Sequence, residues 1–147
     1  MACRGRYDPR RFYEFMPHNV SSVMSGSLIL WVGWYGFNMG SVMSLGSVHA
    51  AQQAANSAVT TTVCAATGAV TAVLIALSRS IAMGSNTRSV DAIALSNGLL
   101  AGLVAITPGS DVVSCRDSVI IGMGSGVAYT MASSIGESFS LDDVRLS

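Results

Sequence analysis

Residues 27–41 read Ser27-Leu28-Ile29-Leu30-Trp31-Val32-Gly33-Trp34-Tyr35-Gly36-Phe37-Asn38-Met39-Gly40-Ser41. They lie inside a run of 64 residues, 15–78, that contains no Asp, Glu, Lys or Arg. A helix crosses the apolar core of a bilayer in about 20 residues, and an ionised side chain at its centre is costly. The run is therefore long enough for two crossings. Gly46, Ser47, His49, Gln52 and Gln53 interrupt its apolar character, which predicts the break between the two crossings near 44–53. Two further uncharged stretches of 19 residues follow: 92–110 after Arg79, Arg88 and Asp91, and 118–136 after Asp111, Arg116 and Asp117. The segments are rich in Ala, Leu, Met and Gly and lack the period-2 alternation of barrel strands. The fold class expected is all-α: a polytopic membrane helical bundle with four transmembrane helices, at about 23–45, 54–77, 92–108 and 118–135.

Composition points the same way. Charged residues make up 11% of the chain, where a soluble domain carries about a quarter. Disorder requires low hydrophobicity and high net charge, and a nucleic-acid partner requires a basic face; the formal net charge here is +0. Positive residues in short loops stay on the cytoplasmic side. With an even number of spans, Arg4, Arg6, Arg10, Arg11, Arg79, Arg88 and Arg145 fall on one side, and Arg116 alone falls on the other. This predicts a cytoplasmic Arg-rich leader at 1–19, a membrane domain at 20–136 and a cytoplasmic tail at 137–147, with both termini inside. The polar, Arg-rich start does not read as a signal peptide. No His, Cys or carboxylate cluster falls within a span to do chemistry, so neither an enzyme, a cofactor nor a metal site is expected.

Gly36-x-x-x-Gly40, Gly98-x-x-x-Gly102 and Gly122-x-x-x-Gly126 each place two glycines one turn apart, a pattern that lets helix backbones approach closely. Thr60, Thr61, Thr62 and Thr67 suit the second span to a position surrounded by protein, with hydroxyls bonded across helices or back to their own carbonyls. Asp91 is read as an N-cap of the third span. Cys3, Cys64 and Cys115 suggest no pair and are expected reduced, and the sequon at Asn19 faces the cytoplasm, where it would not be glycosylated. In the opening stretch, Trp34, Phe37, Asn38 and Ser41 recur at i, i+3, i+4 and i+7 and so share one helix face. Aromatic rings attract cations, while a hydroxyl and a carboxamide accept protons from a polyatomic cation. An aromatic belt with core packing would have the same spacing. In either case an Asn at membrane depth needs a partner.

At these residues the chain resembles the ammonium transporter and channel family that includes the Amt, Mep and Rh proteins. Gly5-Arg6-Tyr7-Asp8 and Met16-Pro17-His18-Asn19-Val20 are similar to the segment leading into the family's sixth membrane helix, and residues 30–41 to that helix. The Trp34-Tyr35-Gly36-Phe37-Asn38 wording is nearest to the algal and protist-like form. Ala54-Ala55-Asn56-Ser57-Ala58-Val59-Thr60-Thr61-Thr62 resembles the start of the seventh helix. Ser96-Asn97-Gly98 through Ala105-Ile106-Thr107-Pro108 resembles the eighth, Ile120-Ile121-Gly122 the ninth, and Leu141-Asp142-Asp143 the approach to the tenth. The family's cytoplasmic connection before its sixth helix agrees with the side assigned from the arginines.

The resemblance implies a fragment of an eleven-helix fold whose members assemble as trimers and conduct ammonium or ammonia through a pore within each subunit. It implies that Phe37 belongs to a stacked pair of rings gating the outer entrance. Ser41 would supply the hydroxyl of the outer recognition site, Trp34 a lumen-facing indole and Asn38 a structural amide of the same helix. The family's two pore histidines come from its fifth and tenth helices, and the ring that stacks on Phe37 from its third; none of these helices is expected here. His18 falls in the pre-helix linker and His49 in the predicted outer loop, both as surface groups. Gly109-Ser110-Asp111 departs from the usual Cys-Gly after Thr107-Pro108. Two readings stand: part of an ammonium-transporting subunit, with the lipid bilayer and further copies as partners, or a truncated, non-conducting membrane protein with a packing role.

Overall fold

The computed structural model describes residues 19–42, 46–84 and 91–138. Residues 1–18 of the predicted leader, 139–147 of the predicted tail, and Arg88 lie outside these residues, Cys3 and His18 with them, whereas Asn19 caps the first helix and Glu137 and Ser138 belong to the last. Within them the chain is helical: α1 spans Val20–Gly40, α2 Val48–Ala82, α3 Ala92–Ile106 and α4 Cys115–Ser138, with one 3-10 turn at Thr107–Gly109. All four are long and apolar enough to cross a membrane, counting the 3-10 turn with α3.

Each helix starts on a side-chain cap, which explains why the observed bounds differ from the expected ones. Asn19 Oδ1 accepts from Ser22 N at 2.9 Å and starts α1. At the other end, the Ser41 hydroxyl donates to Asn38 O at 2.7 Å, and Val42 N turns back to Met39 O at 3.3 Å. Such local bonds compete with helix continuation, so α1 stops at Gly40 rather than near 45. Ser47 Oγ accepts from Ala50 N at 3.1 Å and starts α2 at Val48. His49, Gln52 and Gln53 therefore belong to the first turns of α2 and not to a loop. Gln is a good helix former, and polarity alone does not end a helix that is already capped.

The 35 residues of α2 reach about 52 Å at 1.5 Å per residue, more than a hydrocarbon core. Arg79 lies in its last turn, where the helix dipole favours a cation, and donates to Ser134 Oγ on α4 at 2.6 Å. Gly84, at φ 73, follows the C-cap. The expected cap on α3 forms: Asp91 Oδ1 accepts from Ile93 N at 2.9 Å and Ala94 N at 3.1 Å. Asp91→Ala is expected to destabilise the bundle by about 1 kcal/mol and Asp91→Asn by much less, as read by reversible unfolding in mixed micelles. Pro108 has no N–H to continue the α-helical ladder, and α3 tightens into the 3-10 turn there. At α4, Ser114 Oγ accepts from Asp117 N at 3.3 Å while donating to Asp117 Oδ2 at 2.7 Å. This reciprocal cap draws Arg116 and Asp117 into the first turn.

The second helix is the axis of the bundle. Its buried residues, among them Ala54, Ser57, Thr61, Cys64, Ala65, Gly68 and Ala72, recur at helical spacing on the faces met by α3 and α4. Gly98 and Gly102 of α3 approach it from one side, Gly122 and Gly126 of α4 from another. A Cβ at Gly98 would stand 2.5 Å from Ala72 Cβ and 2.7 Å from Gly68 O, and one at Gly126 2.8 Å from Gly68 O. Gly68 itself has Gly98 O 2.6 Å from where its Cβ would be. The third glycine pair behaves differently, because nothing lies within 4 Å of a Cβ at Gly36 or Gly40. A spacing that permits close approach does not select a neighbour.

Ala65, Ala69, Leu99 and Leu103 form the apolar centre, with Trp31, Trp34, Leu95 and Leu100 packed against it. Of the 21 residues of α1, only Ser27 and Asn38 are buried, and Leu28, Ile29, Val32 and Phe37 are exposed. Leu74, Val104, Ile120 and Met131 likewise face outward, as a lipid-facing surface requires.

Candidate functional site

The four residues expected on one face of α1 span about 100° of arc, because successive residues turn by 100°. The bundle occupies only one flank of that arc, so the face divides. Asn38 is 1% exposed and Trp34 half-buried, both turned into the bundle, whereas Phe37 is 64% exposed and Ser41 is exposed. The Trp34 and Phe37 rings remain neighbours, with centroids 6.3 Å apart and planes tilted by 57°. A tilted pair at that distance lies in the favourable edge-to-face range.

Three threonine hydroxyls hold this segment in place. Trp34 Nε1 donates to Thr107 Oγ1 at 2.9 Å, and Thr107 Oγ1 donates in turn to Leu103 O at 2.9 Å. Asn38 Nδ2 donates to Thr61 Oγ1 at 2.9 Å. The Tyr35 hydroxyl lies 2.7 Å from Thr62 Oγ1. Since the Thr62 proton is committed to Ala58 O at 2.8 Å, the tyrosine is the donor. Asn38 Oδ1 and Trp31 Nε1 are buried without hydrogen-bond partners among the described residues. The buried amide thus finds the partner that membrane depth demands, but for only one of its two ends.

The Ser41 proton is likewise committed, to Asn38 O. Its oxygen is therefore left as an acceptor on an exposed residue, one helical turn after the exposed Phe37 ring. An aromatic face and a hydroxyl acceptor suit a small N–H-bearing cation.

The turn between α3 and α4, where Ser110 departs from the expected pattern, is built into the same end of the bundle. Ser110 is 1% exposed. Its hydroxyl lies 2.8 Å from Ser57 Oγ, and its carbonyl accepts from Thr60 Oγ1 at 2.6 Å. Asn56 Nδ2 donates to the carbonyls of Asp111 and Val113, each at 3.1 Å. The unusual Gly109-Ser110-Asp111 is therefore accommodated by polar residues of α2. The threonines of α2 bond as expected, Thr67 back to Val63 O at 2.8 Å and Thr60 across to the turn.

Sequence reading missed Thr107 and Tyr35 as members of the site. A polar residue at the end of a span beside Pro108 was the available signal. His49 is exposed on the first turn of α2, away from the buried network. An open groove of about 490 Å³, lined by Val20, Ala76, Leu77, Ser80, Asp91, Ala92 and Ile93, lies at the opposite end of the bundle. Its one carboxylate serves as the cap of α3. Among the described residues, no group of three His, Cys, Asp or Glu could hold a metal ion.

With this geometry in hand, comparison with known proteins is specific. Residues 3–145 match the model of the Ammonium Transporter Family. The chain is 35% identical over 140 residues to the ammonium transporter Amt2 of Methanocaldococcus jannaschii, covering 95% of this chain and 29% of that protein. It is 37% identical over 141 residues to Amt2 of Archaeoglobus fulgidus, covering 95% and 28%. Among solved structures, Saccharomyces cerevisiae Mep2 superposes with a TM-score of 0.74 at 33% identity, over 87% of this chain and 26% of that one. Candida albicans Mep2 gives 0.73 at 33% identity, over 86% and 26%. The chain therefore spans between a quarter and a third of the length of these relatives. Four apolar helices, a family match over nearly the whole sequence and these superpositions establish the chain as an integral membrane protein belonging to the Ammonium Transporter Family.

Proposed function

We propose that this chain contributes part of the conduction path of an ammonium transporter subunit, with Phe37 and Ser41 at the outer entrance, Trp34 facing the lumen behind them and Asn38 holding their helix. The observation that carries this reading is the exposed Phe37 ring, tilted on Trp34 and one turn before a Ser41 oxygen whose proton is already committed. At such a site, loss of hydration from ammonium is offset by the rings and the hydroxyl oxygen. The bare cation remains costly at the bilayer centre, so crossing is expected to involve deprotonation to ammonia. The relatives carry the rest of a fold of which this segment is a fraction, and the pore histidines belong to that remainder. In keeping with the family and the arginine bias, the subunit works in the plasma membrane, as a trimer, with the 1–19 and 137–147 segments cytoplasmic.

The alternative, a non-conducting packing role, gains from the same exposure, because Phe37 would then face lipid. Uptake of radiolabelled methylammonium separates the two. The assay uses the longest reading frame containing this segment, expressed in cells lacking their own ammonium transporters. Phe37→Ala is expected to lower uptake about tenfold, between the worth of an exposed and of a desolvated cation–ring contact, with membrane accumulation unchanged because the ring is mostly exposed. Equal uptake in both, or none in the parent, would favour packing.

A further inference from the structure

We infer that Thr107 is the positioning residue of the aromatic pair: its hydroxyl sets the ring plane of Trp34 and, through it, the tilt of Trp34 on Phe37. The bundle buries little of α1, only Ser27 and Asn38, so burial alone does not orient a half-buried indole there. A directed bond does. Trp34 Nε1 reaches Thr107 Oγ1 at 2.9 Å. Because the Thr107 proton is spent on Leu103 O at 2.9 Å, the oxygen can only accept, and an indole N–H can only donate. The two groups are complementary in one ring orientation.

Thr107 is itself fixed by its place in the chain. It is the C-cap of α3 and opens the 3-10 turn that contains Pro108. Ser110 caps the end of that turn and is held to α2 by its contacts with Ser57 and Thr60. The aromatic pair on α1 is thus registered against the α3–α4 turn across 73 positions of sequence. The consequence for transport rests on the function proposed above, whereas the orientation of the indole does not.

The test uses a Trp31→Phe background, which leaves Trp34 as the sole tryptophan of this chain. That change removes an N–H with no hydrogen-bond partner among the described residues. In lipid nanodiscs, the indole N–H band in ultraviolet resonance Raman spectra should report a bonded N–H. Thr107→Val should move the band to its unbonded position, and Thr107→Ser should restore it. If the valine variant does not accumulate, Thr107→Ala removes the same hydroxyl and gives the same comparison. A band that does not move on loss of the hydroxyl overturns the inference.

In the uptake assay, Thr107→Val should raise the half-saturation concentration for methylammonium about threefold, the worth of one net hydrogen bond, and Thr107→Ser should return it. A shifted band with unchanged half-saturation overturns the role in the site. Absence of uptake in the parent defeats the proposed function, and the spectrum still decides whether Thr107 sets the indole.

Discussion

A Gly102→Val chain unfolds with about 3 kcal/mol less free energy than the parent, at the upper end of the cost of overpacking a close-packed core. The reason is what a side chain at this position would meet. A Cβ at Gly102 runs into Cys64 O and stands 2.9 Å from the Cα of Ala65. These are backbone atoms of the central helix, so no rotamer change relieves the overlap, and α3 must move away from α2. Such a shift also strains the Cys64 Sγ to Gly102 O contact of 3.1 Å and carries Thr107 with it. Gly36→Ala is the matched control. Nothing lies within 4 Å of its Cβ, and stability should stay level or rise by up to about 1 kcal/mol through helix propensity. Reversible unfolding of both variants in mixed micelles decides the matter, and equal losses would show that the two glycine pairs pack alike.

That contrast marks how far the sequence could be read. Charge segregation revealed four helices because exclusion of ions from lipid is a strong, one-dimensional constraint. Asp91 as a cap and the threonines of α2 as protein-facing groups were legible for the same reason: each follows from local chemistry. The helix ends were less so. Ser47 starts α2 before Gln52 and Gln53, and the Ser41 hydroxyl ends α1 early, both through single hydrogen bonds that composition does not encode. The site was half legible. Spacing put Trp34, Phe37, Asn38 and Ser41 on one face, but a face of about 100° can meet a neighbour along one flank only. Periodicity within one helix carries no information about where that neighbour lies. Thr107 illustrates the limit, since its bond to Trp34 joins residues 73 positions apart. Gly36-x-x-x-Gly40 illustrates it again from the other side, as a packing signature on which nothing among the described residues comes within 4 Å of a Cβ.

Removing the hydroxyl of Thr61 is expected to cost more than removing the amide it serves. Asn38 is 1% exposed, and its one side-chain bond among the described residues is the donation from Nδ2 to Thr61 Oγ1 at 2.9 Å. Its Oδ1 already lacks a partner among the described residues. Thr61→Val therefore leaves both ends of a buried amide unsatisfied, at about 2 kcal/mol, within the range for stranding a buried polar group. Asn38→Leu removes the orphaned oxygen together with the bond, and the remaining Thr61 hydroxyl can turn back to a carbonyl of its own helix. Its cost should stay near or below about 1 kcal/mol, in line with the modest worth of most interhelical bonds in membranes. Once the amide is gone, Thr61→Val should add almost nothing, so the double variant resembles Asn38→Leu alone. A double-mutant cycle measured by unfolding in mixed micelles would give a coupling of about 2 kcal/mol, the whole of the Thr61→Val loss. Additive losses would mean that the amide is held by something other than Thr61. The order of the single losses carries the structural content: an acceptor threonine is most needed where its partner cannot bond elsewhere, and the Asn38 amide is buried with Thr61 as its side-chain partner among the described residues.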